Sequence, residues 1–301
     1  MFLSSILLSG TLLSRGPVMI EVEAPLYRCV GRPDFSQLPS GYHAGGAQDR
    51  FSHQLGNLLV GNTRWSSAFE VTLLPATFRF SASCRILLAG SPCEILLNGV
   101  SQAMWQPIDC NADDVLKVVV QPPGCRVMLC VLGGVTQVDT HQFLVNDAEP
   151  CSASRKLSEI AESVQLWEPP LGVVRVVPGP EFTAAMEKLL EQPWVVQPQS
   201  SGMGLRLKGP AMPAQSYDIL SAPVTDGTIQ ATPTGLLALL RERGTLGGYP
   251  RVLTVIDCDV DRLAQFRPGQ VLRFQKVDSE QAAEANECQQ QVLARIESCC
   301  R

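Results

Sequence analysis

The chain has 301 residues, of which 45% are hydrophobic and 18% are charged. This composition predicts a folded globular protein, with one large domain or two of about 150 residues, and it excludes a disordered tail. The net charge is −5 at pH 7, and the basic residues are scattered along the chain. Because phosphate binding needs clustered Lys and Arg, we expect no nucleic-acid partner.

The chain opens with an apolar stretch, residues 1–14, which is followed by Arg15. No basic residue precedes the stretch and no clear A-x-A cleavage pattern follows it, so it is not typical of a signal peptide. It is also too short to cross a bilayer. We therefore expect no membrane partner.

Short strand patterns separated by Gly and Pro dominate the chain. In the first half they fall at Phe78–Phe80, Arg85–Leu88, Glu94–Leu97, Val115–Val120 and Cys125–Val131. The last two are predicted to be joined by a tight turn, and Asn98-Gly99 is a hairpin signal. In the second half the strand patterns are Val173–Val177, Thr228–Ala231, Leu236–Leu240, Val252–Ile256 and Val271–Val277. Short strands at this spacing are typical of barrels or sandwiches, because closure removes exposed edges.

Helical patterns are few, so the predicted fold class is mainly β with a few short helices. Gln48–Val60 places its large apolar side chains on one face and ends at Gly61. Glu181–Glu191 shows the same pattern. Asp259 is predicted to cap a short turn. Ser279–Ser298 is predicted to be a polar helix with apolar contacts at Val292, Leu293 and Ile296.

The least regular region is 137–154, before a helical pattern that starts at Arg155. We place a domain boundary there. The prediction is an extension over 1–18, an N-terminal domain over 19–145, a C-terminal domain over 146–278, and a helix and tail over 279–301.

Eleven cysteines are an odd number with irregular spacing, and the three histidines lie far apart in sequence. No CxxC pair occurs. We therefore predict no metal site in this chain. Cysteines in such an arrangement are typical of reduced thiols in a cytoplasmic protein.

Several common catalytic motifs are missing or incomplete. No Gly-Lys-Ser/Thr triplet and no G-x-S-x-G elbow occur. Asp257–Asp261 alternates acids as a calcium loop does, but the sixth position is Arg262 where a Gly is required. Ala185–Lys188 is similar to a biotinyl-lysine site, yet its lysine comes one place late in a helical segment, so we predict no biotin site.

Three loops rich in small residues remain: Ser200–Leu207, Asp226–Gln230 and Thr245–Pro250. Backbone N–H groups in such loops can hold carboxylates or phosphates without lysine. The alternative is that the Gly-Gly-Tyr-Pro segment of the third loop is only a turn between strands.

In this order, and followed by Ala264–Gly269 and Val271–Phe274, these loops resemble the 5-oxoprolinase C-subunit family, also called allophanate hydrolase subunit 2 or biotin-dependent carboxyltransferase-like. Members carry Ser-Asp-Arg-Met-Gly-x-Arg-Leu, Gly-x-Ile-Gln, Thr-x-Gly-Gly-Tyr-Pro and Ala-Gln-x-x-Pro-Gly motifs. Many members begin with a Met-Ile-Glu-Val-like start, which Met19–Val22 resembles. On that basis we expect residues 1–18 to be an extension upstream of the true start.

The sequence departs from the family pattern at four places. The family's Gln-Asp is Arg28-Cys29 here, and its Asp-Arg is Ser201-Gly202. The acid that members usually carry ahead of the third loop becomes Glu242 here, and the Gln that members carry before the Thr of that loop becomes Gly244. Lost charged side chains in a ligand cleft point to an altered substrate or lost activity, so we expect a divergent or partly inactive member.

The resemblance implies two cyclophilin-like β-barrel domains and a barrel-built B-subunit as partner, with a third subunit in the 5-oxoprolinase system. Such an assembly hydrolyses 5-oxoproline, a small-molecule amide, to glutamate with ATP as a substrate. Arg206 is the expected anion clamp. The full set of candidate substrate- or anion-binding residues is Ser201, Met203, Gly204, Arg206, Gln230, Thr245, Gly247, Gly248, Tyr249 and Gln265.

Two other functions are compatible with the resemblance. One is carboxyl transfer, as in urea carboxylase, which would require a biotinylated partner. The other is a non-catalytic regulatory or degenerate subunit that binds a barrel-type partner, and the departures at Cys29, Ser201 and Gly202 favour it.

Overall fold

The structure is a computed structural model that describes residues 17–148, 172–210, 217 and 219–299. Residues 17–148 are called the first half below, and residues 172–278 the second half. The helical pattern predicted from Arg155 lies outside the described residues. The domain boundary therefore stays a prediction.

The first half is built of twelve described strands in two antiparallel sheets. The strands are Met19–Glu23 (β1), Tyr27–Val30 (β2), Ala68–Thr72 (β3), Ala76–Phe80 (β4), Cys84–Gly90 (β5), Cys93–Leu97 (β6), Val100–Ser101 (β7), Ile108–Cys110 (β8), Val115–Val120 (β9), Arg126–Val131 (β10), Val135–Gln137 (β11) and Gln142–Val145 (β12). A seven-stranded sheet has the order β11-β12-β1-β4-β9-β6-β7, and a five-stranded sheet has the order β2-β3-β10-β5-β8.

The two sheets pack face to face through aromatic side chains. Phe69 of the five-stranded sheet meets Phe143 of the seven-stranded sheet edge to face, with 4.7 Å between ring centroids. The ring centroid of Phe78 lies 5.3 Å from that of Phe69. All three rings are fully buried. Burial of such rings is the main stabilising contribution at this contact.

The strand predictions are confirmed, with one difference in how two strands connect. Asn98 and Gly99 both adopt positive φ, at 50° and 82°, and join β6 to β7 as a hairpin turn requires. In contrast, β9 and β10 are neighbours in sequence but belong to different sheets. The turn between them therefore carries the chain from one sheet to the other.

The second half closes into a barrel. Its strands are Val173–Pro178 (β13), Trp194–Val196 (β14), Gly204–Lys208 (β15), Ala222–Pro223 (β16), Thr228–Thr232 (β17), Gly235–Leu239 (β18), Leu246–Gly247 (β19), Arg251–Val255 (β20) and Val271–Lys276 (β21). The barrel order is β13-β20-β17-β18-β15-β14-β21, and β13 pairs with β21 in parallel to close it. The short strands β16 and β19 form a separate pair. A mainly β fold is thus confirmed.

The described residues hold four α-helices, Arg50–Val60 (α1), Lys188–Glu191 (α2), Asp257–Leu263 (α3) and Ser279–Cys299 (α4), and two 3-10 turns at Phe35–Ser40 and Ala184–Met186. None of these helices is long and apolar enough to cross a membrane. The prediction of one continuous helix at Glu181–Glu191 is wrong. A 3-10 turn and the four-residue α2 occupy this segment.

Helix α1 is buried on nearly all sides, so the prediction of one apolar face was too simple. Asp49 caps its start and Gly61 ends it in the left-handed conformation. A Cβ at Gly56 would lie 2.8 Å from the sulfur of Cys130 and 2.9 Å from the Cβ of Ala89. Glycine therefore lets α1 approach β5 and β10 closely.

The predicted cap at Asp259 is wrong. Asp259 lies inside the first turn of α3, and no side chain caps this helix. Its buried carboxylate instead accepts hydrogen bonds from the backbone N–H of Arg175 at 2.8 Å and from its Nη2 at 2.7 Å. Asp259 thus ties α3 to strand β13.

Helix α4 follows the barrel in sequence but packs on the first half. The apolar contacts predicted at Val292, Leu293 and Ile296 are confirmed. Leu293 and Ile296 are fully buried in one cluster with Leu55 and Leu59 of α1. This cluster covers the face of the five-stranded sheet that points away from the seven-stranded sheet.

We expect Leu293→Ala to lower the free energy of unfolding by about 2–5 kcal/mol, because a cavity replaces a buried side chain. Urea denaturation measures the change. Gln290→Ala removes an exposed side chain of the same helix and should stay within about 0.5 kcal/mol of wild type. Equal effects of the two substitutions would show that α4 is not packed on α1.

Candidate functional site

A cavity of about 300 Å³ lies between the two halves. The first half contributes Leu26, Tyr27, Arg28, Gln48, Thr72, Leu73, Cys125 and Arg126, and the second half contributes Ser200, Ser201, Gly202, Leu205, Glu242, Phe266 and Pro268. The cavity combines an apolar lining with a few charged groups, which is the usual composition of a small-molecule site.

Arg28 is the central charge of this cavity. It stands directly opposite Glu70 in the register of β2 and β3, and Nη2 of its guanidinium pairs with that carboxylate. The other end of the guanidinium, Nη1, pairs with Glu242 of the second half. The side chain of Glu70 is 1% exposed, that of Glu242 is 25% exposed, and that of Arg28 is 33% exposed. One guanidinium therefore joins carboxylates from both halves.

Gln48 forms a second link across the cavity. Its backbone N–H donates to Glu70 at 3.0 Å, and its side-chain amide donates to the carbonyl of Gly202 at 2.8 Å. The amide oxygen of Gln48 accepts from the backbone N–H of Arg241 at 3.1 Å. These bonds hold the loop at Gly202 against the start of α1.

Gly202 leaves the space that the Glu242 side chain occupies. A Cβ at residue 202 would overlap the carboxylate of Glu242. The backbone N–H of Glu242 donates to the Gly202 carbonyl at 3.1 Å. The φ of Gly202 lies outside the left-handed region, so what glycine provides here is room for the Glu242 carboxylate and not a special backbone conformation.

Arg126 supplies a second, more deeply buried guanidinium. Its Nη1 donates to the carbonyl of Ala264 and, at 3.0 Å, to the sulfur of Cys125. Among the described residues nothing accepts a hydrogen bond from its Nε, which lies 3.6 Å from an oxygen of Glu70. This end of the guanidinium is buried and forms an ion pair with Glu70 at that distance.

Gln265 was predicted to bind a ligand, and the structure places it in the contact between the halves. Its amide oxygen accepts from the backbone N–H groups of Cys125 and Arg126 at 2.9 and 2.8 Å. Its amide nitrogen donates to Asp49 at 2.7 Å and to the Arg126 carbonyl at 3.1 Å. The whole amide is thereby used within the protein.

Of the ten residues predicted for the site, only Ser201 lines the cavity. Arg206 lies on the outer face of the barrel, between buried Leu205 and Leu207, and is exposed. Gly204, also in β15, pairs with Leu239 of β18, and Met203 is 57% exposed.

The other five predicted residues form a separate group beside the paired strands β16 and β19. The side chain of Gln230 is buried and donates to the carbonyl of Tyr249 at 3.2 Å. A Cβ at Gly247 would overlap that same amide. The carbonyls of Thr245 and Gly248 accept backbone hydrogen bonds from Val224 and Ile219. None of these five lines the cavity.

The sequence contains signals for the residues that were missed. Glu70 stands within the buried strand Ala68–Thr72, and Arg126 opens the fully buried strand β10. A charge within a buried strand requires a partner of opposite charge. That rule indicates that Glu70 and Arg126 each need a partner of opposite charge, although it does not say which residue supplies it.

A pair of buried acids lies beside the cavity, at the start of α1. Asp49 accepts hydrogen bonds from Ser52 and Gln265, while Asp261 of α3 accepts from the backbone N–H of Arg50 at 2.8 Å. Burial, followed by repulsion from Asp261, raises the pKa of Asp49 to about 7. Asp261 also has a raised pKa because it is buried.

His53 of α1 shows the opposite effect of burial on a base. Its ring is fully buried, and its centroid lies 5.9 Å from that of Trp65. Burial lowers the pKa of His53 to about 4, so the ring is neutral near pH 7. It is therefore a packing residue of the first half and adds no charge there.

The family model of the carboxyltransferase domain, subdomain A and B, matches residues 40–144 and 138–276. The chain belongs to this family. The resemblance inferred from the loop motifs is thereby confirmed.

The relatives with similar sequences include two proteins of nearly the same length. The chain is 28% identical over 305 residues to the 5-oxoprolinase C-subunit of Escherichia coli, covering 91% of this chain and 96% of that protein. It is 27% identical over 259 residues to the 5-oxoprolinase C-subunit of Haemophilus influenzae, covering 79% of this chain and 84% of that protein.

Other similar proteins are much longer than this chain. A putative urea carboxylase of Emericella nidulans is 23% identical over 310 residues, and the chain covers 25% of it. The crystal structure of the Kluyveromyces lactis urea carboxylase aligns with a TM-score of 0.81 and 20% identity, over 93% of this chain and 29% of that one. The latter likeness shows a shared fold.

We expect Gln265→Ala to lower the free energy of unfolding by about 2–4 kcal/mol, because it leaves buried backbone and carboxylate groups unpaired. Gln291→Ala, at an exposed position of α4, is the matched control and should change stability by less than about 0.5 kcal/mol. Thermal and urea unfolding measure both. A neutral Gln265→Ala would argue that its amide contacts do not hold the halves together.

The raised pKa of Asp49 predicts a pH dependence of stability. Between the pKa of the unfolded chain, about 4, and the folded value of about 7, the native state binds a proton that the unfolded chain releases. The contribution of Asp49 to stability is therefore full at low pH and is lost as the pH rises through 7.

Asp49→Asn removes this titration. We expect the stability of wild type relative to Asp49→Asn to fall by on the order of 3 kcal/mol between about pH 4 and pH 8. Glu284→Gln, which removes an exposed carboxylate of α4, is the control for loss of one charge. A difference between wild type and Asp49→Asn that does not vary with pH would contradict the assignment.

Proposed function

We propose that this chain is one subunit of an ATP-dependent amidohydrolase that opens a cyclic amide, as in the 5-oxoprolinase reaction. The observation that carries the proposal is the cavity between the halves, whose walls include the two guanidiniums of Arg28 and Arg126. The 28% identity to a protein named as the C-subunit of 5-oxoprolinase, over 96% of that protein, supports the same class of reaction.

The chemistry of lactam opening explains why such a cavity is useful. A lactam is a stable amide, and phosphorylation of its carbonyl oxygen makes the carbon electrophilic toward water. Negative charge then develops on oxygens and must be stabilised by fixed donors in a site that excludes water. The guanidiniums of Arg28 and Arg126 on the cavity wall are fixed cations of this kind.

The size of the cavity argues that ATP is held by the assembly as a whole. About 300 Å³ lies at the lower end of the roughly 300–1,000 Å³ that small-molecule sites occupy, and it suits a small ring better than a nucleotide. In this proposal the chain binds the amide, and a barrel partner similar to the B-subunit, with a third subunit, completes the nucleotide site.

A partner protein is also supported by the comparisons. The E. coli relative is named as a subunit, and the urea carboxylase relative of E. nidulans is about four times as long as the region this chain matches. We place the assembly in the cytoplasm on the cysteine pattern of the sequence.

Two alternatives have specific support. The family description itself names a carboxyltransferase, which favours transfer of a carboxyl group from a biotinylated partner to an amide. The ion pairs of Arg28 with Glu70 and Glu242 favour a non-catalytic regulatory subunit, because they leave that guanidinium neutralised.

The test is to purify the tagged chain from its native cells with its partners and to assay the complex. The proposed function predicts lactam-dependent ADP release and formation of the ring-opened amino acid, measured with 5-oxoproline and with 2-pyrrolidinone. A biotinylated partner together with bicarbonate-dependent carboxylation of urea would support carboxyl transfer. A bound partner with no lactam-dependent ADP release would support the regulatory alternative and overturn the proposal.

Within the active complex, we expect Arg126→Lys to lower kcat/KM by about 10²-fold, because a single ammonium replaces the planar guanidinium on the cavity wall while the positive charge is kept. Arg206→Lys makes the same exchange on the outer face of the barrel and should change kcat/KM less than about twofold. A large loss with Arg206→Lys alone would restore Arg206 as the anion clamp that the motif suggests.

A further inference from the structure

The guanidinium of Arg28 already has an anion at each end. Glu70 pairs with it from the neighbouring strand, and Glu242 pairs with it from the opposite wall of the cavity. Together with Arg126 the cavity region holds two guanidiniums and two carboxylates. The charges at the site therefore balance before any ligand enters.

The two carboxylates differ in how firmly they are held. Glu70 is 1% exposed and also accepts from the backbone N–H of Gln48 at 3.0 Å. Glu242 is 25% exposed and is held near Arg28 through its backbone N–H bond to Gly202 at 3.1 Å. Glu242 is thus the carboxylate that a ligand would have to move.

Gly202 is what allows Glu242 to occupy this place. Any side chain at residue 202 would overlap the Glu242 carboxylate, which is the far end of a flexible side chain. A larger residue would therefore push the carboxylate away from Arg28 without breaking the backbone of the loop.

The consequence for a ligand is a preference set by charge. A carboxylate-bearing ligand would have to displace Glu242 from Arg28 and would remain next to Glu70, and like charges at close range repel each other. An uncharged amide meets no such repulsion and still faces the guanidiniums of Arg28 and Arg126 on the cavity wall.

We propose that Glu242 is a built-in counter-ion of Arg28, positioned through Gly202, which makes this cavity select an uncharged cyclic amide over one that carries a carboxylate. The inference rests on the proposed function, since it names the class of amide that the same cavity takes.

The experiment compares two lactams that share one ring, 2-pyrrolidinone without a carboxylate and 5-oxoproline with one. Ligand-detected NMR titration of the purified full-length chain measures both affinities. We expect wild type to prefer 2-pyrrolidinone by about tenfold or more. Glu242→Gln should abolish or reverse this preference, because it releases Arg28 to the ligand carboxylate.

Two further variants separate this effect from a general loss of charge. Gly202→Ala keeps the Glu242 charge but displaces it, and it should shift the preference in the same direction as Glu242→Gln. Glu187→Gln removes a carboxylate from an exposed ion pair with Lys276 and should leave the preference unchanged. Unfolding curves of all variants confirm that they are folded.

The inference is overturned if wild type binds 5-oxoproline as tightly as 2-pyrrolidinone, if Glu242→Gln leaves the ratio of affinities unchanged, or if neither lactam binds. Failure of the proposed function has a different signature, which is the predicted binding preference without any lactam-dependent ADP release by the complex. Turnover of 5-oxoproline in preference to 2-pyrrolidinone would overturn the inference alone.

Discussion

The contact between the start of α1 and the loops of the barrel is the constraint on which the cavity depends. Gln48 and Asp49 lie fully buried there, and each hydrogen-bonds to the second half. Buried polar groups are stable only when their partners are correctly placed. These bonds therefore fix the orientation of one half against the other, and the shape of the cavity follows from that orientation.

Much of the fold is predictable because it depends on local pattern. The strand Val115–Val120 alternates buried and less buried residues, and Asn98-Gly99 supplies the two positive φ angles of a tight hairpin. The helix predicted at Glu181–Glu191 fails because its apolar spacing serves a 3-10 turn and a short helix that pack on the barrel. Periodicity alone does not distinguish these cases.

The candidate site is less predictable, because its contacts join residues that are distant in sequence. Arg28 and Glu242 are separated by 214 positions. Each is visible in the sequence as a departure from the family motif, and so is Gly202, but only the fold shows that the three departures meet at one point. In the folded chain Glu242 pairs with Arg28, and Gly202 leaves the space that the Glu242 carboxylate occupies.

The position of α4 bears on the order in which the protein is made. The apolar face of α1 that carries Leu55 and Leu59 is completed by Leu293 and Ile296, which are synthesised after both sheets and the barrel. Domains usually fold as units while the ribosome is still at work, the N-terminal one first. Here the emerging first half must wait, with an uncovered apolar surface, until the chain beyond the barrel has left the ribosome. Its exposure to chaperones or to aggregation is therefore set by the time needed to translate the second half.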